Sequence, residues 1–373
     1  MEPFVFTQLA SRMVFGAGAI RQVGAECAGL GVSRVMLVHD GTATAPADDI
    51  AVQLGPTLAL RWHEVAQHVP VELADRARQA ATAAGIDAVV CVGGGSSTGL
   101  AKAIALSHRV PIIAVPTTYA GSEQTTIYGL TGGRHKQTGK DAAVLPRVVV
   151  YDPELTVGLP QNVTGPSAFN ALAHSVEALW APGCNPVTTA IALEGVRAIH
   201  ASLPTVMAHP ADVDARGRLL VGAALSGMAL GATSAGLHHK ICHVLGGMFD
   251  LVHADAHSVV LPHVLAFNAP ALPAAMAGLA AALDVPVGNE AAALWDLAVA
   301  SHVPTRLADL AGSGGPLQRD DLRAVAEVAA AEVTTNPRPV DSAELLGLLE
   351  RAFDGQRPTA KAAARSDSRP PQS

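Results

Sequence analysis

Four short runs in the first 151 residues are apolar almost without a break: 34–39 (RVMLVH), 87–92 (DAVVCV), 111–115 (PIIAV) and 147–151 (RVVVY). A strand with one face in water alternates apolar and polar side chains, whereas an unbroken apolar run must be covered on both faces. Between the runs, residues 71–84 and 97–106 carry apolar side chains at three- and four-residue spacing, as crossover helices do. This order predicts a parallel sheet sandwiched between helices. After Asp152 and Pro153 the strand signal stops. The chain then reads as helices over about 165–180, 187–203, 212–231, 236–248, 271–283, 289–302, 319–333 and 342–353. The expectation is an α/β domain over residues 1–158 and an all-α domain over 159–353. The last stretch, 354–373, is polar, basic and proline-rich, cannot offset its ordering entropy, and reads as disordered.

At 373 residues the chain exceeds one ordinary core. Charged residues make up 15% and the formal net charge is −7, so no basic field awaits a nucleic acid. No window approaches ~18 uninterrupted apolar residues, and no basic segment followed by an apolar one opens the chain. Neither a membrane nor export is expected. Cys27, Cys91, Cys184 and Cys242 lack CxxC spacing and read as free thiols in a reducing cytoplasm.

The run at 87–92 leads directly into Gly93, Gly94, Gly95, Ser96 and Ser97, with a helix starting near Thr98. A strand, a glycine turn and a helix N-terminus form an anion site, because bare first-turn amides and the helix dipole favour a pyrophosphate. GGGS is not the GxGxxG fingerprint, and a tight turn needing positive φ explains the glycines as well. The run at 111–115 ends similarly in PTTYAGSE, placing Thr117, Thr118 and Ser122 at a neighbouring strand end, where open parallel sheets bind nucleotides. Asp40 follows the first run. It reads either as a ribose ligand, favouring NADH over NADPH, or as a turn residue before Gly41.

Residues 236–263 hold six of the fifteen histidines. On a helix His239 and His243 share one face, and Asn170 and His174 repeat that spacing earlier in the chain. Two such helices facing each other can surround a metal or a polar substrate.

Taken in order, RMVFGAGAI, VGGGSSTGLAKAIA, VPTTYAGSE, VVVYDPELTVGLP and the two histidine segments resemble the iron-containing alcohol dehydrogenases up to about residue 353. The resemblance implies a Rossmann-like dinucleotide-binding domain, an all-α domain of the dehydroquinate synthase-like architecture, a cleft between them and a homodimer. It also implies a metal held by one Asp and three His. The matching positions are Asn170, His174, His239 and His253, and His243 matches a histidine near the nicotinamide. Asn170 stands where the family has Asp, which weakens a site for Fe²⁺ while three histidines remain suited to Zn²⁺.

Within that superfamily, FNALAHSVEALWAP, PTTYAGSE and GGRHKQTGKDAAVLP look like the maleylacetate reductase family, which reduces a carbon–carbon double bond of maleylacetate to give 3-oxoadipate. Ketone reduction builds charge on one oxygen, which suits a metal, whereas hydride addition to an enone spreads charge over an enolate that hydrogen-bond donors can hold. The resemblance therefore implies NADH, or NADPH, with a dicarboxylate substrate, and donors among His174, His239, His243 and His253, with His243 supplying the proton. Lys136 reads either as a contact to the cofactor or as part of a solvated turn. A metal-dependent alcohol or polyol dehydrogenase, a lyase that recycles bound NAD, and a non-catalytic nucleotide-binding protein are the competing readings.

Overall fold

The structure is a computed structural model that describes residues 3–132 and 135–359. Six strands build one parallel sheet: β1 (Arg12–Phe15), β2 (Val35–His39), β3 (Leu58–Trp62), β4 (Ala88–Gly93), β5 (Ile112–Pro116) and β8 (Val148–Tyr151). A separate antiparallel hairpin of β6 (Ile127–Gly132) and β7 (His135–Lys140) sits between β5 and β8 in sequence. Across the sheet the order is β1-β8-β5-β4-β2-β3. Every residue of β2, β4, β5 and β8 is buried. Their period-two alternation divides them between two cores. Met36, Val38, Val89, Cys91, Ile112 and Ala114 face α3 (Val71–Ala84) and α4 (Gly95–His108). Val35, Leu37, Val90, Ile113 and Val150 face α1 (Val23–Gly29) and α2 (Thr44–Leu54).

The sequence reading found the four interior strands and missed β1, β3 and the hairpin. The physical reason is exposure. β1 and β3 are the sheet's two edges, and of their residues only Val14 is buried, so neither carries a long apolar run. The hairpin strands contain Gly129, Gly132 and Gly139 and alternate weakly, which made this segment read as a loop.

The helical half comprises α5 (Gln161–Ala178), α6 (Pro186–Ala208), α7 (Val213–Ala232), α8 (Leu237–Phe249), α9 (His253–Asn268), α10 (Pro273–Leu283), α11 (Glu290–Ala300), α12 (Asp321–Glu332) and α13 (Ser342–Asp354). Its only strand pairing among the described residues is Ala311–Gly312 with Gly315–Pro316. Helix α9 was not expected. It contains Pro262, and α6 likewise runs through Pro204 to Ala208, beyond the expected end at 203. An internal proline costs a helix one hydrogen bond, but buried flanking residues such as Leu261 and Leu203 keep these helices packed. One core cluster runs from the sheet face through α5, α6, α7, α10 and α11, so the two halves share a hydrophobic interior. No single described helix is long and apolar enough to cross a membrane.

The first residues of the segment read as disordered, 355–359, pack against the fold instead. Arg357 forms two hydrogen bonds to Asp296 of α11, at 2.7 and 2.6 Å, and Pro358 is buried. Residues 360–373 lie outside the described residues.

Lys102 of α4 is 2% exposed and ties down the chain after β5. Its ammonium donates to the carbonyls of Ser122 (2.7 Å), Thr125 (2.7 Å) and Ile127 (2.8 Å) and to the Thr125 hydroxyl (3.0 Å). Burial pulls its pKa down to about 7, against the charge of Glu123. Replacing it with Met takes this donor from the Thr125 and Ile127 carbonyls, groups that are costly to bury unpaired, while the Ser122 carbonyl keeps the N–H and hydroxyl of Thr125. Lys102→Met is expected to lose about 3 kcal/mol of stability, read as a lower urea midpoint; an unchanged midpoint would show that water replaces the ammonium freely.

Candidate active site

The strand order reverses between β2, which crosses over outward to β3, and β4, which crosses over the other way to β5. Such a switch point opens a crevice at the carboxyl ends of the strands. A cavity of about 840 Å³ occupies this place, walled on the far side by the helical half and roofed by the β6–β7 hairpin. That volume is in the range that holds a small organic ligand.

The sheet wall contains Asp40, Gly94, Gly95, Ser96, Thr118 and Ser122. Helix α4 begins at Gly95, three residues before the expected Thr98, so its bare amides lie inside the glycine loop itself. A Cβ on Gly94 would come within 3.2 Å of the Thr118 methyl, which leaves the backbone as the lining surface. Gly93, Ser97 and Thr117 do not line the cavity. Gly93 sits at φ 143 and its carbonyl accepts the Thr117 N–H at 3.0 Å, while the buried Ser97 hydroxyl donates to Asp40 at 3.3 Å. They shape the loop from behind. Asp40 caps a short turn by accepting from the Thr42 N–H at 2.8 Å and also faces the cavity, so its two readings are compatible. Lys136 lies in β7, and its side chain is outside the described residues.

Helix α5 grips the loop after β5. The Ser167 hydroxyl accepts the Tyr119 N–H at 2.9 Å, and the Asn170 amide donates to the Ala120 carbonyl at 3.1 Å. The loop also touches α7 so closely that a Cβ on Gly227 would fall 2.1 Å from the Gly121 carbonyl oxygen.

The helical wall brings together Asn170 and His174 from α5, His239 and His243 from α8, and His253 from the start of α9. His174 stacks on His239 at 5.2 Å between centroids, and His243 stacks on His253 at 5.6 Å. Behind them Glu177, 1% exposed, accepts the N–H groups of Gly236 and His238, each at 2.8 Å, and pairs with Nδ1 of His239. Burial works to raise the Glu177 pKa, but the charge and hydrogen bond of His239, the charge of His238 and the Gly236 N–H bring it down to about 2. An ionised carboxylate only accepts, so His239 donates to it from Nδ1 and turns its Nε2 the other way. That Nε2, Oδ1 of Asn170 and Nδ1 of His174 are buried without hydrogen-bond partners.

A second row of imidazoles supports the first. His257 bonds His253 and His238 through its two ring nitrogens, each at 2.9 Å. Burial first, then neighbouring histidines, push His174 and His257 well below the usual imidazole range, and His238 falls to about 3. These rings are neutral at pH 7. His238, Cys242 and His257 place three ligand atoms within 4.8 Å of one another, although two are already hydrogen-bonded together.

Sequence reasoning missed Glu177, Lys102 and His257. Glu177 had a signal, since it lies three residues after His174 on the same helical face. Lys102 reads as an ordinary helix residue until the fold brings the Ser122, Thr125 and Ile127 carbonyls to it.

Comparison with known proteins adds the following. The Iron-containing alcohol dehydrogenase family matches residues 10–153, and the Fe-containing alcohol dehydrogenase family, C-terminal, matches 164–353. A maleylacetate reductase of Burkholderia cepacia is 46% identical over 359 residues, covering 96% of this chain and 100% of the relative. Crystal structures of maleylacetate reductases from Agrobacterium tumefaciens and Rhizobium sp. superpose with TM-scores of 0.90 and 0.89, at 43% and 44% identity. Each covers 96% of this chain and 100% of the other.

The buried carboxylate gives an acid signature. Because the Glu177 pKa is depressed from 4.5 to about 2, its stabilising contribution is full above 4.5 and is lost as pH falls from there toward 2. The wild-type urea midpoint should drop across that window. Glu177→Gln should be less stable at pH 7 by about 3 kcal/mol and show a shallower slope below pH 4.5; parallel slopes in the two proteins would assign the acid sensitivity to other groups.

Proposed function

Since the chain belongs to the iron-containing alcohol dehydrogenase family, we propose that it is a maleylacetate reductase, using NAD(P)H to reduce the C=C bond of maleylacetate to 3-oxoadipate in the breakdown of aromatic compounds. The observation that carries this reading is the wall of Asn170 and mutually supported histidines facing a nucleotide crevice, in a chain over 40% identical to maleylacetate reductases along nearly its whole length.

The residues fit a dinucleotide. The amides at the start of α4 and the side-chain-free surface of Gly94 and Gly95 suit a pyrophosphate. Asp40 suits a ribose diol and repels a 2′-phosphate, so NADH is the preferred cofactor. When bound, the cofactor supplies hydride to the alkene carbon beta to the ketone. The histidine wall then binds the enolate oxygen, and His243, half-buried at the cavity surface, holds the proton for the carbon alpha to the ketone. His257 and Glu177 keep the rings of His253 and His239 in place through the bonds described above.

The buried, unpartnered Oδ1 of Asn170, Nδ1 of His174 and Nε2 of His239 are atoms of the kind that bind a divalent cation, whereas Nε2 of His253 is taken by His257. Such an ion would polarise the ketone oxygen, but without an anionic ligand it is held weakly. We assign it no step. A metal-dependent alcohol dehydrogenase is the second reading, favoured by those same three atoms. The protein is proposed to act in the cytoplasm, in keeping with four free cysteines, and as a homodimer, on the family resemblance.

The decay of NADH absorbance with maleylacetate tests the assignment. Turnover should survive exhaustive chelation, and His243→Ala should lower kcat about 100-fold; turnover of an alcohol that requires added Zn²⁺ or Fe²⁺ would select the second reading. Asp40→Ala should move the NADPH-to-NADH ratio of kcat/KM toward NADPH by about tenfold, the equivalent of about 1.4 kcal/mol. An unchanged ratio would mean that Asp40 serves its turn alone.

A further inference from the structure

Behind the histidine wall the structure gathers one thiol and two imidazoles that share none of the positions matching the family's metal ligands. His238 and Cys242 lie four residues apart on α8 and therefore on one face, and α9, which packs against it, adds His257. All three side chains are fully buried. Sγ of Cys242 lies 3.8 Å from Nε2 of His238, and that nitrogen lies 2.9 Å from Nδ1 of His257, with one ligand atom of each residue within 4.8 Å of the others.

Around a tetrahedral Zn²⁺ a thiolate sulfur and an imidazole nitrogen stand about 3.6 Å apart, and two imidazole nitrogens about 3.4 Å. The sulfur is therefore close to its place. The gap between the two rings, which a shared hydrogen now spans, has to open by about 0.5 Å for an ion to take that hydrogen's position.

Charge separates this cluster from the wall in front of it. Asn170, His174 and His239 contain no anionic ligand, whereas Cys242 becomes one when an ion displaces its thiol proton to solvent. A second negative charge stands one hydrogen bond away, because Glu177 accepts the backbone N–H of His238 at 2.8 Å. A divalent ion, a thiolate and this carboxylate sum to zero, which removes most of the cost of burying the ion. A thiolate also selects Zn²⁺ over Mg²⁺ and Mn²⁺. We propose that His238, Cys242 and His257 bind a thiophilic divalent cation of the Zn²⁺ type, with water completing the tetrahedron. The cavity gives the way in, since His257 stands directly behind His253 of its lining. Ligation through Nδ1 leaves the proton of His257 on Nε2, so the ion makes His257 the donor and His253 the acceptor in their 2.9 Å bond. It orients the wall from behind and touches no substrate.

The test uses the full chain after chelation, in a Cys184→Ser background that removes the exposed thiol. Equilibrium dialysis should show one Zn²⁺ bound per chain with release of one proton, and Co²⁺ in its place should give a thiolate charge-transfer band in the near ultraviolet. Cys242→Ala and His257→Phe should each weaken Zn²⁺ binding about 100-fold, and Cys242→Ala should erase the Co²⁺ band. Cys242→Ser replaces the alanine variant if that one does not fold. Asn170→Ala should bind Zn²⁺ as the parent does. A parent chain that binds no Zn²⁺, a band that survives Cys242→Ala, or binding lost in Asn170→Ala and kept in Cys242→Ala would overturn the proposal. None of these readouts depends on the reductase reading.

Discussion

The site depends on one buried carboxylate. Glu177 takes two backbone N–H groups at the start of α8 and one ring nitrogen of His239, so a single side chain on α5 sets where α8 begins, how it is oriented and which face of the imidazole is bare. Only an anion can satisfy three donors there, and only a folded interior makes that anion so much stronger as an acceptor than water would. On the other side of the cavity Lys102 does the converse, with a cation gathering carbonyls from the loop after β5. A buried carboxylate and a buried amine thus hold the two walls.

Between these walls three neighbouring groups break the usual rule of interiors, that buried polar groups find partners. Asn170, His174 and His239 each keep an unpaired atom, and all three line the same cavity. Unpaired groups are costly, and the stability of the shared core spanning sheet and helices offsets them. Their convergence gives the cavity a chemical direction: unpaired polar atoms on the helical side and bare helix amides on the nucleotide side.

How much of this was legible follows from burial. The interior strands β2, β4, β5 and β8 announced themselves because two covered faces demand unbroken apolar runs; the edges β1 and β3 did not, because solvent makes no such demand. The hairpin was hidden by its glycines. Helix α9 was hidden by Pro262, whose cost is local while the packing that overrides it comes from other helices.

The sequence by itself determined the α/β and all-helical halves, the glycine loop at a strand end, and the set of Asn170 and histidines, because periodicity and local spacing are properties of neighbouring residues. Tertiary structure alone decided that Gly93, Ser97 and Thr117 stand behind the wall, that Glu177 takes the Nδ1 proton of His239, and that Lys102 is spent on the carbonyls of the loop after β5. Each of these depends on which distant backbone group arrives within hydrogen-bonding range, a distance that packing sets and local sequence does not encode.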